Sequence, residues 1–300
     1  MRSRSIWFLA LLLIALLTAC GAPAEEVALT TAPAATIAPG STEAAGAPAV
    51  PTEANTPEAA NTTAAADMPT TAPEPTLPPV APSEPVDEVL TFEGAAGLPI
   101  VAGFHAPGGS GPFPGVILLH MLGSDRRAWT ETGLVDALAG AGYAVLAVDM
   151  RGHGETGGAA DWALAAEDLA LVWDAFAARD DVDETRTAVV GGSIGANMAL
   201  RLAADRPAVR AAVLLSPGLD YRGVTTEDQM AHYGARPILL VASEDDPYSA
   251  DTVAALDEAA AGASELVVYT TAGHGTNMLS AEPELTPRIV EWLGSQLAAQ

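Results

Sequence analysis

The sequence predicts an α/β protein over residues 87–300, built as a doubly wound, mostly parallel sheet with helices on both faces. Three observations predict it. Short apolar runs recur along the segment; the runs are continuous rather than alternating; and Ala-rich stretches of helical character separate them. A strand that is apolar at every position is buried on both faces, which happens when helices cover a parallel sheet from either side. Regular alternation of strand and helix then makes the sheet doubly wound.

The elements follow in order. Val89 to Phe92 and Leu98 to His105 flank Gly94 and Gly97 and read as a leading antiparallel hairpin. The continuous apolar runs are Val116–Leu119, Ala144–Val148, Ala188–Val190, Ala211–Leu215, Ile238–Val241 and Leu266–Tyr269. Helices are expected near residues 130–141, 161–179, 194–205, 250–262 and 284–298, with Leu169, Leu171, Val172 and Met198, Leu200, Leu202 facing the core. Between Pro217 and Pro237 lie 19 residues, room for a loop or a short helix but not for a separate cap domain.

The residues with chemical potential fall at the ends of these strands. Gly191-Gly192-Ser193-Ile194-Gly195 matches G-x-S-x-G directly after one strand and directly before a helix. That context defines a nucleophile elbow, whose sharp turn needs glycines and lifts the serine hydroxyl clear of the sheet. The N-terminal dipole of the following helix lies beneath it. Phosphate-loop and dinucleotide readings fail, because the chain has no Lys and Ser193 and Ala196 break the glycine spacing. Downstream, a strand runs into the acidic loop Ser243-Glu244-Asp245-Asp246, and Ala272-Gly273-His274-Gly275-Thr276 follows the last strand.

On these motifs residues 88–300 resemble the α/β-hydrolase superfamily, in particular the small dienelactone-hydrolase-like serine esterases. Triad members follow the order Ser, acid, His in that superfamily. The resemblance implies Ser193 as nucleophile, His274 as base and Asp246 as acid, third after Ser243, where the family usually has Gly. Glu244, Asp245 and Asp220 stand as other candidates for the acid. Leu118-Leu119-His120-Met121-Leu122-Gly123 is similar to the family's turn after the third strand, with Met121 in place of the commoner Gly. It implies an oxyanion hole made by the backbone N–H groups of Leu122 and Ile194, with His120 as a buttress of the turn. Asp149-Met150-Arg151-Gly152-His153-Gly154-Glu155 is similar to the family's loop after the fourth strand, which shapes the core without metal. His105 and His232 carry no motif.

The implied activity is hydrolysis of a carboxylic ester or lactone through an acyl-serine, with no cofactor and no metal. The small space for a cap favours short substrates. The same residues would serve a peptidase of the prolyl-oligopeptidase type, whose Gly-His-Gly-Thr segment is similar, or an acyltransferase or perhydrolase. A non-catalytic binding module is the remaining alternative, and it would normally lack one of the three residues.

Ahead of this domain, Arg2 and Arg4 precede a 12-residue apolar run, Ile6 to Leu17. That length suits a signal peptide and is too short for a membrane span. It ends in Leu17-Thr18-Ala19-Cys20, which resembles the lipobox of bacterial lipoproteins and implies acylation of Cys20, the chain's single Cys. Residues 1–20 are therefore expected to be an export signal. The domain is expected outside the cytoplasm, anchored by lipid to a bacterial membrane. Residues 21–86 hold 13 of the 23 prolines, eight acidic residues and no basic or aromatic residue. Such a composition cannot bury enough apolar surface to order itself and reads as a linker, reaching between roughly 45 and roughly 200 Å.

The charge sets limits on partners. The 300 residues carry 38 acidic and 13 basic residues, all of them Arg, for a net charge of −25. Residues 87–300 hold 30 acidic and 11 basic, a net of −19. This excess argues against nucleic acid and anionic headgroups, which basic patches bind. No obligate protein partner is evident, and a small substrate and a lipid-anchored membrane are the expected partners.

Overall fold

The computed structural model describes residues 84–299. The export segment, Cys20 and the linker up to residue 83 lie outside the described residues. The first strand opens at Val86, one residue ahead of the expected domain boundary.

Eight strands form one sheet in the order β1-β2-β4-β3-β5-β6-β9-β10. They are β1 (Val86–Glu93), β2 (Pro99–Ala106), β3 (Phe113–Leu119), β4 (Ala144–Val148), β5 (Val182–Gly192), β6 (Val209–Leu215), β9 (Ile238–Ser243) and β10 (Ser264–Tyr269). β1 and β2 form the expected antiparallel hairpin, and β2 meets β4 antiparallel. All other pairings are parallel. A two-stranded ribbon, β7 (Asp220–Tyr221) and β8 (Val224–Thr225), stands apart from the sheet.

The unbroken apolar runs are explained by where each side chain goes. Ile117 and Leu119 of β3 join a core with Val189, Met198, Leu214 and Leu240. Val116 and Leu118, alternating with them, join a second core with Val190, Val213, Leu239 and Trp292. Each face of the strand has its own helices to bury against, so no position can be polar.

Helix α3 (Trp162–Ala177) starts where Asp161 accepts hydrogen bonds from the Ala163 and Leu164 amides. Helices α4 (Ile194–Asp205), α6 (Pro247–Ala259) and α8 (Leu285–Gln296) occupy the other expected stretches. α6 begins three residues early because Asp246 and Pro247 make a helix start, with Pro at the first position. The helix expected over 130–141 is two, α1 (Arg127–Glu131) and α2 (Leu134–Gly140). Gly133 at φ 77° breaks it. Leu171 is corrected from core to surface: Leu169 and Val172 are buried, whereas Leu171 is 44% exposed. The segment before Pro237 contains α5 (Glu227–Tyr233), and α7 (Asn277–Ala281) follows the histidine loop.

The loop after β4 is a structural clamp. Arg151 bonds both oxygens of Asp168 on α3, at 2.7 and 2.8 Å, and donates to the Ala95 carbonyl at 2.6 Å. The Ala95 amide returns a bond to Asp168 at 2.7 Å. Three distant stretches are thereby joined through one buried ion pair. Asp149 is fully buried and takes the Arg126 guanidinium and the Arg126 and Glu155 amides. These acids are committed to arginine and backbone. Among the described residues no group of three or more His, Cys, Asp or Glu side chains is placed to hold a metal ion.

Removing one half of a buried pair strands the other charge. Arg151→Met is expected to lower unfolding free energy by about 3–5 kcal/mol, while Arg151→Met with Asp168→Leu loses much less. Urea denaturation of the three proteins checks this.

Candidate active site

Ser193 stands between β5 and α4 at φ 54° and ψ −124°, outside the usual regions for a side-chain-bearing residue. Such strain persists only where surrounding contacts over-determine it. Two glycines supply the contacts. A Cβ on Gly195 would strike the carbonyl oxygens of Leu119 and His120, and one on Gly191 would strike the Gly195 carbonyl. Backbone therefore packs on backbone where β3, β5 and α4 meet. The Ser193 amide is held by the Leu215 carbonyl at 2.8 Å, and the residue is 8% exposed.

Three strand ends bring the expected residues together. His274 Nε2 lies 2.7 Å from Ser193 Oγ, and His274 Nδ1 lies 2.6 Å from Asp246 Oδ2. Asp246 is the carboxylate that reaches the histidine. Glu244 is exposed, Asp245 bonds the Ser243 hydroxyl and the Gly273 amide, and Asp220 takes the Gly223 amide in the ribbon. Burial alone would raise the Asp246 carboxyl, but the polar groups of Ser249 nearby and the hydrogen bond with His274 outweigh it and hold it below its ordinary value.

The loop that carries His274 is fastened on both sides. The Ala272 amide donates to Ser243 Oγ at 2.8 Å, Gly273 to Asp245 Oδ1 at 3.1 Å and Gly275 to Ser216 Oγ at 2.9 Å. Ser243 thus ties the acid loop to the histidine loop. Ser216, buried at φ 51°, ties the end of β6 to it. Nothing in the sequence pointed to Ser216.

On the other side of Ser193 lies the turn after β3. Leu122 is 46% exposed there, and among the described residues its amide has no hydrogen-bond partner. Ile194 holds the first helical position of α4, where an amide has no intrahelical acceptor. Met121 packs against Gly192 and Gly275, filling the seam between the elbow and the histidine loop.

His120 is fully buried under this turn. Its Nδ1 donates to the Met121 carbonyl at 2.7 Å and its Nε2 accepts from the Met150 amide at 3.0 Å. Accepting from the Met150 amide needs the neutral ring, and burial lowers its pKa to about 4. His153 stacks edge-on against it at 5.0 Å. His105 pairs with Asp87 at 3.3 Å, and His232 is exposed.

The ribbon sits over the site. Asn197, one turn into α4 and fully buried, grips both of its sides, bonding the Gly218 carbonyl (2.8 Å), the Gly218 amide (3.0 Å) and the Val224 carbonyl (2.7 Å). Tyr221 of β7 then meets His274 edge-on at 6.3 Å. Tyr221 lies among the 19 residues between Pro217 and Pro237, and no motif in the sequence gives it a part in the site.

Comparison with known proteins agrees with this architecture. The family described as serine aminopeptidase, S33, matches residues 112–233, a stretch that includes Ser193. An uncharacterized protein of Mycobacterium tuberculosis is 38% identical over 113 residues, which are 38% of this chain and 38% of that protein. Esterase FrsA of Citrobacter koseri is 33% identical over 132 residues, 43% of this chain and 31% of the esterase. The chain thus spans well under half the length of these curated relatives. Among solved structures, a dienelactone hydrolase of Anabaena variabilis is 22% identical at a TM-score of 0.61, covering 72% of this chain and all of that one. An esterase of Pyrococcus furiosus is 18% identical at 0.60, covering 71% and 94%. Sheet order, elbow and these likenesses together define the α/β-hydrolase fold.

The buried imidazole makes acid costly. Between the ordinary histidine range near pH 6.5 and about pH 4, the unfolded chain binds a proton at His120 that the native state refuses. Stability is full above that window and falls as pH drops through it, by about 3 kcal/mol from this group. His120→Gln is expected to be less stable at pH 8 but to lose less between pH 7 and 4.5, read by thermal melts.

Proposed function

We propose that the protein is a serine hydrolase that cleaves a carboxylic ester or lactone through an acyl-serine. The observation that carries this is the continuous hydrogen-bonded line Ser193–His274–Asp246 on a strained elbow.

His274 takes the Ser193 proton through Nε2 as Oγ attacks the carbonyl carbon, and Asp246 fixes the tautomer by accepting from Nδ1. The carbonyl oxygen gains the negative charge and turns to the Leu122 and Ile194 amides, each such donor being worth on the order of 3 kcal/mol. Collapse expels the alcohol, to which His274 returns the proton. Water, deprotonated by the same base, then releases the acid. The site lies beside a short ribbon rather than under a cap domain, and Leu122 is exposed near it. Short-chain esters and lactones fit that opening.

The acid, the base and the elbow would equally serve transfer to another acceptor. Ser193→Ala is expected to lower p-nitrophenyl acetate hydrolysis by at least about a thousandfold, with a melting temperature no lower than that of the parent. A fluorophosphonate probe is expected to label the parent at Ser193 alone. Activity surviving in Ser193→Ala, or a peptide p-nitroanilide turned over faster than any ester, would overturn the reading.

We further propose that the domain works outside the cytoplasm, tethered through acylated Cys20 and a linker that ends ahead of β1 at Val86. The lipobox-like segment and the linker composition support this. More than one acyl chain is needed for stable attachment. Metabolic labelling with a palmitate analogue in a bacterial host is expected to mark the parent and not Cys20→Ala. The unlabelled protein is expected to leave the membrane fraction.

A further inference from the structure

The chain has seven methionines, and five of them lie among the described residues. Met150, Met198, Met230 and Met278 are at most 2% exposed. Met121 is only half-buried, and it lines a cavity of about 280 Å³ together with Ser124, Glu131, Thr132, Thr276 and Asn277. A cavity of this size lined by hydroxyls, an amide and a carboxylate admits water, and hydrogen peroxide is scarcely larger than water.

The thioether also fills a tight seam of the site. A Cβ on Gly275 would strike Met121 Sδ and would lie 3.6 Å from the Ser193 amide nitrogen. One on Gly192 would lie 3.4 Å from Met121 Cγ. An unbranched, pliant side chain suits so irregular a gap. Neither wall of the seam has slack. The Gly275 amide is tied to Ser216 Oγ at 2.9 Å. The Met121 carbonyl accepts from His120 Nδ1 at 2.7 Å and from the Ser124 amide at 3.2 Å. His274 immediately precedes Gly275, and Leu122 immediately follows Met121. The sulfur therefore lies between the loop of the base and the turn of the proposed oxyanion donor.

We propose that Met121 is an oxidation site through which peroxides lower the activity of the hydrolase. The loss of activity rests on the serine-hydrolase reading above; the oxidation itself needs only the accessible thioether.

The sulfur lone pair attacks one oxygen of hydrogen peroxide or of an organic hydroperoxide. An S–O bond forms as the O–O bond breaks, so the sulfur loses two electrons and the peroxide is reduced. The transferred oxygen sheds its proton to the departing hydroxide or alkoxide, which leaves as water or alcohol. The sulfoxide is polar and chiral where the thioether was apolar and flexible. Its oxygen, set in a seam already filled, displaces either the histidine loop or the turn after β3. A displacement of about 1 Å at a catalytic group costs on the order of a hundredfold in rate.

The experiment treats the full chain and Met121→Leu with graded hydrogen peroxide, maps oxidised peptides by mass and follows p-nitrophenyl acetate hydrolysis. Met121 is expected to gain one oxygen before Met150, Met198, Met230 or Met278. The kcat of the parent is expected to fall about tenfold to a hundredfold in step with that gain, while Met121→Leu holds whatever activity it starts with. Methionine sulfoxide reductases, one for each epimer, are expected to restore the parent. Met121→Gln sets a polar amide in the seam without any oxidant and is expected to reproduce the loss. Melting curves show whether each variant is folded; where one is not, the parent's own match between oxygen gained at Met121 and activity lost decides. Oxidation of a buried methionine ahead of Met121, a Met121 sulfoxide of full activity, or equal losses in the parent and Met121→Leu would overturn the proposal. A parent that neither hydrolyses esters nor takes the fluorophosphonate fails the hydrolase reading instead. Mass mapping then decides without turnover whether Met121 is the site that peroxide reaches first.

Discussion

The contact on which the site depends is between two pieces of backbone. Gly195 lies against the carbonyls of Leu119 and His120 so closely that any side chain would displace them. From that contact follow the tight turn of β5 into α4, the positive φ of Ser193 and the placement of the β3 turn beside the nucleophile. Dispersion and hydrogen bonding elsewhere must hold this arrangement against the strain. The two cores on either side of the sheet provide the rigid frame, since packed interiors do not deform continuously.

Around that contact the site is assembled from loops at the carboxyl ends of six strands. Each loop is fastened to a neighbour. Arg151 and Asp168 lock the β4 loop, His120 supports the β3 turn, and Ser216, Ser243 and Asp245 take three amides of the histidine loop. An imidazole whose ring is fixed by a carboxylate and whose backbone is fixed from both sides is held in one orientation.

Most of the fold was legible because apolar strands without alternation have one physical explanation, burial on both faces. The elbow was legible for the same reason, a local pattern with a steric cause. Ser193, Asp246 and His274 could be placed from motif and order, although sequence alone left four candidate acids. What was hidden depends on tertiary placement. Gly133 broke an expected helix because its φ was invisible in composition. Leu171 was misassigned because a helix flanked on one side exposes part of an apolar-looking face. Ser216 and Tyr221 are ordinary residues in sequence, and they reach His274 only when β6 and the ribbon converge on its loop.

The arginines give the domain an electrical asymmetry. Among the described residues, eight sit within 4 Å of a carboxylate, including the buried pairs of Arg126 and Arg151. Positive charge is therefore spent locally, and acids such as Glu131, Asp136, Glu227, Asp228 and Asp251 remain exposed without it. An anionic molecule approaches this surface against a repulsive field, whereas a neutral one does not feel it. Ionic strength becomes a filter on encounter rate, since added salt screens the field over roughly 10 Å at 0.1 M. Dilute surroundings would favour uncharged solutes at the opening, and brackish ones would let charged solutes compete.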